Sequence, residues 1–163
     1  MQHPYPAPIE VVFAMLGDAA FLDDRFVATG ALTHEVIECG ERPDGAFAIV
    51  TRRTVHTEIP GFARRVLPAN NSMTQTEVWG ADGAERHTGT WKVDADGVPV
   101  STGGTTYLEA TADGTVHHIE GRIKVPVPLI GGRIEKFVFE NAKLTLDAEL
   151  EYGLRWLAER DAG

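Results

Sequence analysis

Apolar residues recur at helical spacing along the last part of the chain. Ile134, Val138, Phe139, Ala142, Leu146, Leu150, Trp156 and Leu157 fall on one side of a segment with no proline and one interior glycine, Gly153. That spacing predicts a long amphipathic helix. At 1.5 Å per residue it would run about 40 Å, the width of a small domain. Pro126, Pro128, Gly131 and Gly132 precede it and mark the change of direction.

The period is different upstream. Prolines at positions 4, 6 and 8 keep residues 1–8 extended, with Tyr5 in an edge strand. A short helix follows from Ile9, with Val11, Val12, Met15 and Leu16 as its apolar face, ending near Gly17. Asp18 is placed to cap a second short helix through Phe21, Leu22 and Phe26. From there the alternation has period two. Strands are predicted at 31–39, 46–57, 72–79, 85–94, 104–111 and 115–125. Turns fall at 40–45, 80–83, 96–97 and at Asp113-Gly114, the last a strong hairpin signal. Residues 59–71 are too long for a hairpin turn and have room for a short helix. Gly89 and Gly121 interrupt strands, as glycine does where a sheet bends.

Short connections favour antiparallel neighbours. The pattern therefore predicts an α+β fold: one strand, two short helices, six strands and a long helix. A six- to seven-stranded antiparallel sheet would present one apolar face, and the helix is long enough to lie across it. With 163 residues and no linker or repeat, the whole chain, 1–163, is expected to be one domain.

Composition narrows the partners. A net charge of −9 disfavours nucleic acid and anionic membrane. No apolar run is long enough to span a membrane, so no integral membrane association is expected. Cys39 is the only cysteine, which excludes an intramolecular disulfide and a cysteine-based zinc site. With no signal-peptide pattern at the start, a cytoplasmic location is expected. No His-x-His or HExxH spacing occurs among the six histidines, and no P-loop or GxSxG elbow is present. The expectation is no metal, no nucleotide cofactor and no recognisable catalytic motif. A monomer or homodimer suits the chain equally.

Several segments carry a family resemblance: YPAPIEVVFAMLGDAAFLDDR at the start, GTWKV and the spaced PVS in the middle, VPLIGGRIEKFV leading into the helix, and WLAER near its end. With the order of elements, they make the chain resemble the START-like superfamily, or helix-grip fold, and within it a bacterial START-like family of unknown function. That superfamily includes lipid-transfer domains, pollen-allergen-like proteins and polyketide cyclase/dehydrase-like proteins. The resemblance implies a curved sheet gripping the C-terminal helix, with a cavity between them for sterols, lipids, polyketides or other mostly apolar ligands. It also implies that residues 59–71 border the entrance. A fold of this kind hosts many functions, so the site must decide.

Glu149 lies within the apolar stripe of the long helix, beside Thr145 and Tyr152. A carboxylate facing an apolar cavity would have a raised pKa and could hold a ligand hydroxyl or move a proton. It could equally pair with a strand arginine such as Arg53. Glu135, one turn into the helix, suits the macrodipole. His87 shares strand parity with Trp91, and His117 with Ile119. Adjacent residues face opposite ways, so His117 and His118 cannot both face inward. The candidate cavity residues are Arg53, His87, Trp91, His117, Ile119, Phe139, Ala142, Thr145, Leu146, Glu149 and Tyr152. Three readings follow. The first is binding or carriage of a small apolar ligand. The second is a cyclase/dehydrase-type enzyme using Glu149, Tyr152 and Arg53. The third is a filled-in domain acting through protein contacts. Cavity volume separates the third from the first two.

Overall fold

The computed structural model describes residues 1–80 and 86–161. Its elements in chain order are β1 (Gln2–Tyr5), α1 (Ile9–Leu16), α2 (Ala19–Ala28), β2 (Thr33–Glu41), β3 (Phe47–His56), β4 (Asn70–Trp79), β5 (Arg86–Ala95), β6 (Ser101–Thr111), β7 (Gly114–Lys124) and α3 (Gly131–Asp161). A single 3₁₀ turn, Gly61–Ala63, occupies the long connection between β3 and β4. The seven strands form one antiparallel sheet in the order β1-β7-β6-β5-β4-β3-β2. The predicted α+β architecture is the observed one: a curved open sheet, two early short helices and a long C-terminal helix. The turn placed at 80–83 lies largely outside the described residues.

Local chemistry sets these elements. Asp18 caps α2, its Oδ1 accepting from Phe21 N at 2.9 Å. Ile9, Val12, Met15 and Leu16 are the buried face of α1. Val11, expected there, is 44% exposed: the helix turns its stripe one residue away from it. α3 begins at Gly131 and runs 31 residues, about 46 Å. Glu135 lies one residue past the first turn of α3, and its contact is a hydrogen bond rather than a cap. Its Oε1 accepts from the Val125 amide at 2.9 Å, joining the end of β7 to the helix start.

The glycines in the strands serve curvature and close approach. A side chain on Gly121 would collide with the Trp91 ring and the Gly103 carbonyl, so the indole can lie flat across β7 only because Gly121 is bare. Trp91 Nε1 then reaches the Glu120 carbonyl at 3.0 Å. On the far edge, β2 carries a bulge: Val36 pairs Thr51 and Glu38 pairs Val50, leaving Ile37 as the extra residue.

The interior has two packed clusters. The larger joins Tyr5, α1, α2, Ile49, Trp79 and Leu108 to Leu157 of α3. Gly153 lies against it, and a Cβ there would stand 3.1 Å from the Tyr5 ring and 3.4 Å from the Met15 methyl. The smaller cluster holds Ile59, Ala63 and Leu67 of the long connection with Val125 and Ile134 at the other end of α3. Between the two, the helix spans open space.

Candidate functional site

That space is a cavity of about 530 Å³ between the inward face of the sheet and the middle of α3. Strand alternation decides its walls. β3 contributes Ile49, Arg53 and Val55, and β4 contributes Asn71, Met73, Gln75 and Glu77. Trp91 and Val93 come from β5, Thr102 and Thr106 from β6, and His117, Ile119 and Ile123 from β7. The helix closes it with a run from Phe137 to Glu149. Ile59, Leu67 and Pro68 bring the long connection to its border, as the resemblance implied. A shallower groove of about 630 Å³ adjoins it, between Pro60, Phe62 and the first turns of α3, where Arg133 stacks on Phe62 at 4.1 Å.

Most of the lining is apolar, but one end is charged. Glu149 Oε2 lies 3.6 Å from Arg25 Nη1, and Glu149 Oε1 lies 3.9 Å from Arg53 Nη1. The three side chains are only 10–12% exposed. Phe26 adjoins both arginines, its ring centre 5.3 Å from the Arg25 guanidinium carbon and 5.2 Å from that of Arg53. Glu77 accepts from Gln75 Nε2 at 2.7 Å and from Trp79 Nε1 at 3.3 Å. Burial nevertheless pushes its carboxyl above the ordinary range, against the opposing effect of Arg25. Burial likewise lowers Arg53, with Glu149 opposing; an arginine nonetheless keeps its charge.

His117 is held by Thr106, with Nε2 and Oγ1 2.7 Å apart. Thr106 Oγ1 also donates to the His118 carbonyl at 3.2 Å. Both contacts are satisfied when the His117 Nε2 hydrogen is donated to Thr106. Burial depresses the imidazole to about 3, with His3 and Arg25 adding to the effect, so the ring is neutral at ordinary pH.

The structure brings together Arg53, Trp91, His117, Ile119, Ala142, Thr145, Leu146 and Glu149 around this cavity. Three other candidates lie elsewhere. His87 is on the inward face but at the packed end, stacked on Phe13 at 4.2 Å and 3.6 Å from Glu10. Phe139 is 54% exposed and turned off the cavity. Tyr152 packs on Phe21 at 5.5 Å, inside the larger cluster rather than facing ligand space. Glu149 lines the cavity and stands 3.9 Å from Arg53, the strand arginine expected as its partner. His118, as parity required, faces the other way and stacks on Tyr107 at 4.1 Å.

Sequence reasoning missed Arg25, Gln75 and Glu77. Each carried a signal. Arg25 falls in the apolar stripe of α2, four residues after Phe21 and next to Phe26. Gln75 and Glu77 alternate with Met73 and Trp79 on one strand face, which sets two polar groups among inward positions. Among the described residues no cluster of His, Cys, Asp and Glu could hold a metal ion. Nor is any described helix long and apolar enough to cross a membrane.

The family model described as a protein of unknown function, DUF2505, matches residues 1–157. No curated protein shows detectable similarity to the chain. Among solved structures, an uncharacterised protein from Rhizobium leguminosarum is similar over 95% of this chain and 92% of its own, at 14% identity and a TM-score of 0.52. At that identity the likeness concerns the fold.

Proposed function

The chain belongs to the DUF2505 family, and we propose that it binds or carries a small, mostly apolar ligand in the cavity between sheet and helix. The observation that carries this reading is the cavity itself. About 530 Å³ lies within the roughly 300–1,000 Å³ typical of small-molecule sites. Its walls mix Val, Ile, Leu, Met and aromatic side chains with polar ones such as Asn71, Thr102 and Asn141, and carry Arg25, Arg53, Glu77 and Glu149 at one end. A domain acting only through protein contacts would have had this space filled by larger side chains. The START-like resemblance supports the same reading, as does the placement of Ile59, Leu67 and Pro68 at the cavity border. One unpaired cysteine suits a reducing compartment, so the proposed location is the cytoplasm.

Native mass spectrometry of the protein purified from its own host, followed by solvent extraction, tests this. The expected result is one apolar compound at near-stoichiometric occupancy. An empty protein that also fails to bind a neutral apolar dye would overturn the reading.

A second reading, proton transfer on a bound substrate, draws on one observation. Glu77 lines the cavity with its carboxyl pushed upward by burial, which suits a general acid or base. Glu77, rather than Tyr152, is the residue this reading would use. If it holds, Glu77→Gln abolishes turnover of a cavity ligand without loosening its binding.

A further inference from the structure

Arg25 and Arg53 present an unusual account of hydrogen bonds. A guanidinium has five N–H donors. Among the described residues, neither guanidinium makes a hydrogen bond within 3.5 Å. Their nearest acceptors, the Glu149 oxygens, stand at 3.6 and 3.9 Å. Arg25 Nε and Arg53 Nη1 are buried without a partner. Buried polar groups are nearly always satisfied, and charged donors left unpaired are costly. Both side chains are nonetheless part of the cavity wall. The Phe26 ring, 5.3 and 5.2 Å from the two guanidinium carbons, offers no oxygen acceptor to either. Their remaining donors therefore face the cavity.

Two guanidiniums share one close carboxyl partner at this end, Glu149, at 3.6 and 3.9 Å. Glu77 is the second carboxyl nearby, and burial favours its neutral form. His117 is neutral as well. Two guanidiniums beside a single close carboxyl, with N–H donors left over, suit one added anionic group. Geometry adds to this: a guanidinium presents parallel N–H groups that fit the two oxygens of a planar carboxylate. Beyond this end Met73, Val93, Ile119 and Leu146 supply apolar wall, interrupted by Thr102 and Asn141, against which the body of such a molecule would lie.

We propose that the ligand is an apolar monocarboxylic acid, its carboxylate held by Arg25 and Arg53 beside Glu149 and its apolar body lying between the sheet and the middle of α3. This rests on the reading that the cavity binds an apolar ligand, and it names the head group that the cavity selects.

The test is displacement of a neutral dye, N-phenyl-1-naphthylamine, at neutral pH by three matched compounds: hexadecanoic acid, its methyl ester and hexadecanol. Each is used below its solubility limit. The acid should displace the dye about tenfold or more better than the ester and the alcohol, as a charged hydrogen-bonded contact requires. In Arg53→Met, checked for fold by circular dichroism, the acid-to-ester preference, read as a ratio within the one protein, should fall to about threefold or less. Equal displacement by all three compounds, with the dye bound, would overturn carboxylate recognition and leave the binding reading standing. Failure of the dye and all three compounds to bind would overturn both. Should Arg53→Met not fold, the three-compound series on the unaltered protein still decides the matter.

Discussion

The two ends of α3 and its middle belong to one helix and one apolar stripe, yet they do different work. Near the C-terminal end, Gly153 and Leu157 press onto Tyr5, Met15 and Phe21. Near the start, Ile134 is fully buried against Ala63 and Val125. Between them, Ala142 and Leu144 are exposed while Thr145 and Leu146 are only half-buried, because the strands opposite do not rise to meet them. The helix is a beam resting on two supports. Stability should reside in the supports and binding in the span, and substitutions can separate the two.

The largest effect is expected at the supports. Leu157→Ala, like Ile134→Ala, should cost about 2–5 kcal/mol, measured by equilibrium urea unfolding. The equivalent change in the span, Leu146→Ala, should cost under about 1 kcal/mol, since its side chain borders open space. Equal losses at both places would break the comparison. A cavity-filling change sharpens it from the other side. Leu146→Trp should weaken neutral-dye binding by about tenfold or more while stability moves by less than about 1 kcal/mol.

The pH dependence of stability separates two buried groups in the cavity wall. His117 titrates near 3 in the fold and near 6.5 when unfolded. Below 6.5 the unfolded chain takes up a proton that the fold does not, so stability falls as pH drops from about 6.5 towards 3. The slope from this one group is at most about 1.4 kcal/mol per pH unit. Glu77 acts in the opposite sense. Its raised folded pKa means that the unfolded chain loses a proton first, so its contribution declines as pH rises above the ordinary glutamate value. Glu77→Gln should therefore steepen the acid-side loss of stability, and His117→Asn should flatten it. Urea unfolding across pH 3–7 reads both. The smallest effect is expected at Leu144, 68% exposed on the rim: Leu144→Ser should change stability by less than about 0.5 kcal/mol.

Much of this architecture was legible because period and punctuation are local. Asp18 announced α2, the prolines and glycines before residue 133 announced α3, and Asp113-Gly114 announced the β6–β7 hairpin. The site was legible in part. Parity assigns a strand residue to a face but not to a place along it, which is why His87 shares the inward face with Trp91 and still ends up against Phe13. The helical stripe was read too broadly, so Phe139 and Tyr152 entered it while their contacts lie outside the cavity. Arg25 and Glu77 were passed over because a charged residue in a short helix or a strand is usually solvated. Only the tertiary packing, which leaves Arg25 and Arg53 no more than 12% exposed, shows that these charges are enclosed.

The bulge at Ile37 has a consequence for how copies of this protein meet. β2 is a free edge of the sheet, and a straight free edge invites a strand from another molecule. One extra residue breaks the repeat of donors and acceptors along it. Glu35, Glu38 and Glu41 place negative charge on the same short strand, with Arg42 pairing Glu38 at 2.7 Å. An approaching copy would bring identical charge to a misaligned ladder. Strand addition at this edge of the sheet is thereby opposed by both register and charge.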